Sequence, residues 1–203
     1  MNGNGLADGK PAESQYERGT TNMTTEVAVR TWNIDASHSV AEFAVKHMMV
    51  ATTKGRFADF EGVLEVDEGR PLLSSVRASI DVASIDTKEP KRDEHLRSDD
   101  FFSAEKFPKM TFVSKRVERV DDENYRVIGD LTIRDATREV VLDTEFSGQI
   151  ADPWGGQRAG FTATTRINRK DFGLNWNTVM ETGGVLVSDI VKITLNIEAV
   201  RAN

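Results

Sequence analysis

The chain has 203 residues, of which 38% are hydrophobic, and its formal net charge is −7 from 26 basic and 33 acidic residues. This charge balance disfavours nonspecific binding to nucleic acid or to an anionic membrane. The sequence has no cysteine, which excludes disulfides, thiolate metal sites and a cysteine nucleophile.

The first 28 residues form a polar segment that precedes any apolar pattern. This segment lacks the basic start and the run of roughly 7–15 apolar residues that define a secretory signal. No window of the chain approaches the roughly 20 apolar residues of a membrane span. We therefore expect a disordered polar tail over 1–28, with Met1 or Met23 as the translation start, and a cytoplasmic protein.

Beyond the tail, apolar and polar residues alternate with a period of two, which predicts β-strands. The last run is the clearest, because Val191, Ile193 and Leu195 share one face while Lys192 and Thr194 share the other. The predicted strands cover residues 29–34, 38–47, 56–66, 74–83, 109–120, 124–133, 138–150, 159–168 and 191–199.

Nine candidate strands with short connections favour antiparallel order, and the segments 121–124 and 152–156 are predicted hairpin turns. An open sheet of this size would leave exposed edges, so we expect closure into a barrel or division into a sandwich. A barrel of eight strands is either filled by its own side chains or holds one small ligand.

The longest interruption of the strand pattern is the segment 91–102, which is followed by Phe107-Pro108 and combines dense charge with phenylalanine. Leaving Phe101, Phe102 and Phe107 exposed would forfeit roughly 1.5–3 kcal/mol each. We therefore expect these rings to point inward, from a lid that covers one end of a barrel.

Local signals in this lid favour a short helix. Pro90 suits a first helical turn, and Ser98 and Ser103 precede acidic residues as helix N-caps do. The residue before Pro108 avoids the helical region, so Phe107 should end the helical stretch. The sequence thus predicts an all-β protein, an antiparallel β-barrel of about eight strands with a short helical lid segment.

The three histidines, His38, His47 and His95, are too scattered to form a metal motif in the sequence. The alternative is a metal site formed by their convergence in space, with Asp35 or Glu42 as extra ligands. We predict neither a metal site nor a cofactor.

His47 has two interpretations because it falls on the same strand face as Phe43 and Val45. It is either a hydrogen-bonded core residue, which we favour slightly, or a polar contact for a ligand. An alternative enzymatic hypothesis makes His47 the acid–base group for a small apolar substrate in the same pocket. No Gly-x-Ser-x-Gly elbow occurs, so we expect no hydrolytic triad and predict no catalytic residue.

The charged part of the lid also has two interpretations. Arg92, His95 and Arg97 form either a solvated face with weak local ion pairs or a polar mouth for an anionic or quinone-like head group. Charge runs of this kind are usually surface, which favours the first interpretation.

Several segments together are similar to one family, the YceI-like polyisoprenoid-binding proteins. The matching pieces occur in order over about residues 32–200, and the lid segment is the most specific of them. They are Trp32-Asn33-Ile34-Asp35 with His38-Ser39, Phe43-x-Val45-x-His47-Met48, Gly55-x-Phe57-x-x-Phe60-x-Gly62, Ser84-Ile85-x-Thr87, Arg92-Asp93-x-His95-Leu96-x-Ser98-x-Asp100-Phe101-Phe102, Phe107-Pro108-x-x-Thr111-Phe112, Gly129-x-Leu131-Thr132-Ile133 and Asn168-Arg169-x-Asp171-Phe172-Gly173-x-x-Trp176.

The resemblance implies a lipocalin-like antiparallel barrel whose long pore takes an isoprenoid chain. Many relatives carry an export signal, where this chain has a polar tail. The chain also has Asp135-Ala136-Thr137 where relatives often have glycine at the first position, so that hairpin is expected to differ.

We therefore expect one YceI-like β-barrel ligand-binding domain over 29–203 that sequesters or transports a long isoprenoid lipid, polyprenyl or quinone-type. Residues on the more apolar face of each run are predicted to line its cavity, and these are Phe43, Val45, Phe57, Phe112, Leu131, Phe146, Phe161 and Trp176, with Phe101 and Phe102 from the lid. His47, Arg92, His95 and Arg169 are the predicted mouth. No nucleic-acid partner is expected, and base rates alone suggest a homodimer.

Overall fold

The structure is a computed structural model that describes residues 29–179 and 185–202. The predicted tail over 1–28 lies outside the described residues. Within them the chain forms eleven strands and one α-helix. The elements in chain order are β1 (Val29–Ile34), β2 (Val40–His47), β3 (Ala51–Phe57), β4 (Phe60–Asp67), β5 (Ser75–Asp81), β6 (Ile85–Asp86), α1 (Pro90–Arg97), β7 (Lys109–Arg119), β8 (Asn124–Ile133), β9 (Ala136–Ala151), β10 (Gln157–Asn168) and β11 (Val187–Arg201).

The strands form a closed antiparallel barrel. The sheet order is β1-β4-β5-β7-β8-β9-β10-β11-β2-β3-β6, and an additional pairing of β1 with β11 joins its ends. Three pairs of strands lie end to end and act as single interrupted strands of the barrel. These pairs are β1 with β2, β3 with β4, and β5 with β6, so the eleven strands form eight paths around the barrel. The predicted eight-stranded barrel is confirmed.

The three interrupted paths break at one level of the barrel. The breaks lie at residues 35–39, 58–59 and 82–84. Two backbone hydrogen bonds, from Ala58 N to Ser84 O and from Asp81 N to Asp59 O, link the second and third paths at this level. The prediction of one strand over 56–66 was therefore wrong. The sequence missed β3 because its residues Ala-Thr-Thr-Lys-Gly-Arg-Phe offer almost no apolar face.

Both predicted hairpin turns are present, and each is held by an aspartate. The Asp121 carboxylate accepts hydrogen bonds from the backbone N–H groups of Glu123 and Asn124, at 3.0 and 2.8 Å. The Asp152 carboxylate likewise accepts from Trp154 and Gly156, at 2.9 and 2.8 Å. Such side-chain acceptors replace the backbone partners that a turn loses.

The lid contains α1, and its N-terminus is capped by Glu89, whose carboxylate accepts from the backbone N–H of Lys91. Pro90 occupies the first turn, as expected. The prediction that Ser98 and Ser103 are helix N-caps was wrong. Ser98 ends α1, and Ser103 has a φ of +50° in a turn where its hydroxyl bonds the Asp99 carboxylate. Among the described residues, no helix is both long and apolar enough to cross a bilayer.

Polar contacts fix the lid to the barrel wall. The buried Asp93 carboxylate accepts from both the backbone N–H and the hydroxyl of Thr87, at 2.9 and 2.5 Å. Arg97 donates to the carbonyls of Ala83 and Ile85, at 2.9 and 3.1 Å. Moving the lid would separate the buried Asp93 carboxylate from its two donors, which costs free energy, so the lid is a fixed part of the fold.

Candidate ligand-binding cavity

A cavity of about 660 Å³ runs through the barrel, and inward-facing side chains of every long strand line it. On β10 the wall is made of Ala159, Phe161, Ala163, Thr165 and Ile167, while the residues between them face outward. This is the period-two alternation of a strand applied to a closed sheet. Nearly all of the wall is hydrocarbon.

The cavity is closed at the lid. Leu96, Phe101 and Phe102 of the lid form this end together with Leu174, and each is buried or half-buried. The Phe102 ring meets Phe57 edge-on at 6.0 Å between centroids. Aromatic rings in this geometry attract each other beyond simple area burial, so they form a firm apolar floor.

The cavity opens at the opposite end of the barrel. Glu68, Pro71 and Gln149 border the cavity and are themselves exposed to solvent. They lie beside the β4–β5 connection and the outer end of β9. The mouth is therefore about as far from the lid as the barrel allows, and not at the lid where the sequence analysis placed it.

The dimensions of the cavity are those of a tube. On β11 the wall extends from Val187 to Ile197, which at 3.3 Å per residue spans about 33 Å of strand. A strand tilt of about 40° reduces this to roughly 25 Å along the barrel axis. A volume of about 660 Å³ over that length gives a mean cross-section of roughly 26 Å². Such a tube admits one hydrocarbon chain.

The polarity of the wall changes along this tube. Ser74, Ser75, Tyr125, Thr144 and Gln149 are in the open half, and the sequence analysis missed them because it selected only large apolar residues as the wall. Towards the lid the wall is almost continuously aliphatic and aromatic. A ligand with one polar end is therefore solvated best with that end at the mouth.

Nine of the ten predicted lining residues border the cavity, and these are Phe43, Val45, Phe57, Phe101, Phe102, Phe112, Leu131, Phe146 and Phe161. Their contact with a ligand stays a prediction. Trp176 does not border it. Its ring packs outside the floor, edge-on to His95 at 4.8 Å and tilted to Phe101 at 5.2 Å. Phe107, expected to point inward, lies instead under the Arg134 guanidinium at 5.6 Å.

The residues predicted to form the mouth have other partners. Arg92 donates to the hydroxyl and carbonyl of Thr87, at 2.8 and 2.9 Å. His95 Nε2 lies 2.9 Å from the Asp100 carboxylate. His47 is the last residue of β2 and does not border the cavity.

Arg169 is the one predicted mouth residue that borders the cavity, but it does so at the closed end. It is 3% exposed. Its guanidinium donates to the carbonyls of Ser188, Leu174 and Trp176. Burial lowers the pKa of Arg169 from its ordinary value. The Arg169 side chain thus connects two segments at the closed end of the barrel. Contact of His47, Arg92, His95 and Arg169 with a ligand head group stays a prediction without support from the cavity geometry.

A cluster of titratable groups lies outside the cavity. Asp35, His38 and Glu198 place one potential ligand atom each within 4.8 Å of one another. Arg158 donates to both carboxylates, at 3.0 Å to Asp35. Hydrogen bonds from Ser37, His38 and Arg158 hold the pKa of Asp35 well below its usual range. The Arg158 guanidinium already supplies the positive charge that a metal ion would bring to these carboxylates.

Comparison with known proteins gives one consistent family. The model of the YceI-like domain matches residues 32–199. A UPF0312 protein of Staphylococcus epidermidis is 42% identical over 168 residues, which are 82% of this chain and 95% of that protein. A UPF0312 protein of Yersinia enterocolitica is 39% identical and covers 83% of this chain and 84% of its own length.

Solved structures agree with these sequence matches. BcnA of Burkholderia cenocepacia superposes with a TM-score of 0.72 at 25% identity, over 81% of this chain and 98% of that one. The YceI protein of Campylobacter jejuni gives 0.69 at 33% identity, over 78% and 90%. A polyisoprenoid-binding domain from Saccharophagus degradans gives 0.60 over 85% and 98%, and at 14% identity it shows likeness of fold alone.

Proposed function

The chain belongs to the YceI-like family, and from this membership we propose that it binds one long isoprenoid lipid in the barrel and carries it shielded from water. The observation that carries this proposal is the apolar tube, which is closed at the lid, open at the far end and one chain wide. Burial of about 0.8 kcal/mol per methylene makes a long chain the favoured occupant.

The shape of the tube also favours an isoprenoid among long chains. Its wall combines broad rings such as Phe57 and Phe112 with small residues such as Ala41, Ala78 and Ala163. Phe57 lies opposite Ala41 and Phe112 opposite Ala78, and a small residue beside each ring leaves local room for a branched chain. The polyisoprenoid-binding description of the Saccharophagus neighbour is consistent with this ligand class.

Among the described residues the cavity wall carries no histidine, which bears on the alternative of catalysis by His47. His38, His47 and His95 are all described residues, and none of them borders the cavity. A general acid or base must lie within hydrogen-bond reach of the reacting group. The hypothesis that His47 is an acid–base group therefore gains no support, and the variant His47→Gln is expected to bind lipid as the natural protein does.

The test is a chain-length series of prenyl alcohols added to delipidated protein and measured by native mass spectrometry. Affinity is expected to rise with each isoprene unit until the chain fills the tube and then to level off. Equal binding of all lengths, or none, would contradict the proposal. Organic extraction of the protein as purified gives the mass of the resident lipid, and the same spectra report whether the predicted homodimer forms.

A further inference from the structure

The turn between β2 and β3 exposes three consecutive apolar side chains at the closed end of the barrel. Met48, Met49 and Val50 are 43%, 63% and 83% exposed, and we call them the apolar tip. The tip lies at the closed end because His47, the last residue of β2, pairs with Val187, the first residue of β11. Single exposed apolar residues are normal on a protein surface, but a contiguous group of them indicates a contact surface.

The backbone of the apolar tip does not call for methionine. Met48 and Met49 have φ values of +50° and +60°. The turn is closed by a hydrogen bond from Val50 N to His47 O, at 3.2 Å. Tight turns with two successive positive φ values favour asparagine and glycine, because a Cβ makes this conformation costly. The chain therefore holds two large apolar side chains in solvent where small residues would fold better, and such strain is typical of functional sites.

A band of positive charge lies beside the apolar tip on the outer face of the barrel. Arg166 of β10 pairs with Lys192 of β11. Lys192 pairs in turn with Ala44 of β2, and Ala44 pairs with Lys54 of β3. The chain neighbours of Arg166, Lys192 and Ala44 line the cavity, so this row of paired residues faces outward. Lys46 is on the same outer face, two residues closer to the tip than Ala44.

The basic band, formed by Lys46, Lys54, Arg166 and Lys192, is not neutralised locally. In the part of the chain that the structure describes, no carboxylate oxygen lies within 4.0 Å of the side-chain nitrogens of these four residues.

The nearby carboxylates have other partners. Asp189 forms ion pairs with Arg169 and Lys170, and Glu42 is paired across the sheet with Arg56, one row further from the tip. Electrostatic potentials decay over about 8 Å at physiological ionic strength, so the net charge of −7 on the whole chain does not cancel this local field. Four like charges on one surface attract an anionic partner.

We propose that the apolar tip and the basic band dock the closed end of the barrel on an anionic lipid bilayer. Interfacial protein segments bury apolar side chains about 5–10 Å deep and keep lysine and arginine at the head groups. The row that contains Lys54 and Lys192 is four residues from Met48, which is about 13 Å of strand and roughly 10 Å along the barrel axis. An inserted tip therefore brings these cations to the level of the lipid phosphates. An acidic protein partner would account for the charges but not for the exposed tip.

Docking by the closed end leaves the mouth directed away from the bilayer. The mouth end also exposes apolar side chains, including Leu73 and Trp154. Its connections carry the exposed carboxylates of Glu68, Asp121 and Asp122, which an anionic surface repels. The charge distribution thus selects one end of the barrel, and this inference goes beyond the proposed function because it does not depend on the occupant of the tube.

The test is co-sedimentation of the full-length protein with two kinds of vesicle, phosphatidylcholine alone and an equal mixture of phosphatidylcholine and phosphatidylglycerol. Binding is expected to the mixed vesicles and to fall with added salt. Each cation near an anionic surface contributes about five-fold in affinity, so the double variant Lys46→Gln, Lys54→Gln should bind about 30-fold more weakly. The matched control Arg119→Gln, Arg126→Gln removes the same charge from two exposed arginines towards the mouth end and should bind as the natural protein does.

A second variant tests the tip without threatening the fold. The substitutions Met48→Asn and Met49→Gly supply the residues that the turn favours, so the unfolding temperature should stay equal or rise while vesicle binding is lost. The tip does not border the cavity, so this variant should still bind the prenyl-alcohol series. Loss of vesicle binding is thereby separated from failure of the proposed function.

The orientation has its own reporter, because Trp154 is 84% exposed at the mouth end. Its fluorescence, obtained by difference from Trp154→Phe, should not change on addition of mixed vesicles. A blue shift of this emission would place the mouth against the bilayer and overturn the proposal. Equal binding to both kinds of vesicle, or binding to neither, would overturn it as well. If the methionine substitutions dissociated a dimer and left vesicle binding unchanged, the tip would be a contact between two copies of the chain, which also contradicts docking on a membrane.

Discussion

The substitution Ala163→Trp tests whether the tube is the site of chain binding. Ala163 is 6% exposed and borders the cavity from the middle of β10. The outermost wall residue of that strand, Ala159, is four residues away, which is about 13 Å of strand and roughly 10 Å along the axis. An indole at position 163 therefore leaves about 10 of roughly 25 Å open to a ligand that enters from the mouth.

The energetic consequence follows from chain burial. An isoprene unit has five carbons, so its burial contributes about 4 kcal/mol before ordering costs. After the chain is ordered, a net gain of about 1–2 kcal/mol per unit corresponds to roughly 5- to 30-fold in affinity. In the natural protein this gain should continue along the whole tube. In the variant it should stop at about two-fifths of that chain length.

Stability separates blockage from misfolding. Most large insertions into a packed core cost about 1–3 kcal/mol, but here the ring enters a space that is empty of protein atoms. The free energy of unfolding is therefore expected to stay equal or to rise by about 1 kcal/mol. The control is Thr164→Trp, whose side chain lies on the outer face of the same strand and should leave the length series unchanged.

The assay is the prenyl-alcohol series by native mass spectrometry, with thermal unfolding followed in parallel by circular dichroism. A variant that keeps its unfolding temperature and loses only the longer chains agrees with the tube. If Ala163→Trp bound long and short chains as the natural protein does, the chain would not occupy the barrel interior and the reasoning would be refuted.

Three further predictions concern stability. Arg134 has a φ of +57° and donates to the carbonyls of Phe101 in the lid and of Gly173, so Arg134→Ala should cost about 2–3 kcal/mol of unfolding free energy, and Arg134→Gly about 1 kcal/mol less because glycine tolerates that backbone. Asp35→Asn should destabilise the protein at pH 7, and the difference should shrink below about pH 4, since a carboxyl with a lowered folded-state pKa stabilises only while ionised. Gly129→Ala should cost about 3 kcal/mol, because a Cβ there would lie 2.5 Å from the Val113 carbonyl oxygen.

Each of these has a control measured by the same thermal or denaturant unfolding. An Arg134→Gly variant less stable than Arg134→Ala would contradict the backbone argument. Asp143→Asn removes a carboxylate that is 72% exposed and should leave the pH profile unchanged. Gly55→Ala should cost less than Gly129→Ala, because its closest contact is the end of the Phe43 ring, which borders the cavity and can move into it, and not a backbone atom.

Strand alternation was enough to predict most of the barrel from the sequence. β8 and β10 each have a nearly continuous apolar face, β7 has one that is interrupted at Ser114, and the predicted ranges of all three fall within two residues of the observed ones. β3 has no such face, because its inner positions include Gly55 and its outer ones are threonine and lysine. The register that brings Gly55 against the Phe43 ring depends on tertiary packing, which a single strand pattern does not encode.

The candidate site was predictable in its wall and not in its direction. A phenylalanine such as Phe112 or Phe161 on an apolar strand face must point into the barrel interior once the sheet closes. Charged residues carry no such constraint, so the sequence analysis placed the mouth at lid residues such as Arg92, whose guanidinium donates to Thr87 instead.

The pairing of β1 with β11 has a consequence for how the protein is made. β11 is the last of the described strands to be synthesised, so a nascent chain without it presents an apolar sheet with two unpaired margins. Such margins recruit other polypeptides readily. Deleting the residues after Ile197 would remove the three β1–β11 pairs, but β2 would still pair with β11 up to Asn196, so the barrel would stay closed and lose only part of its wall next to the mouth.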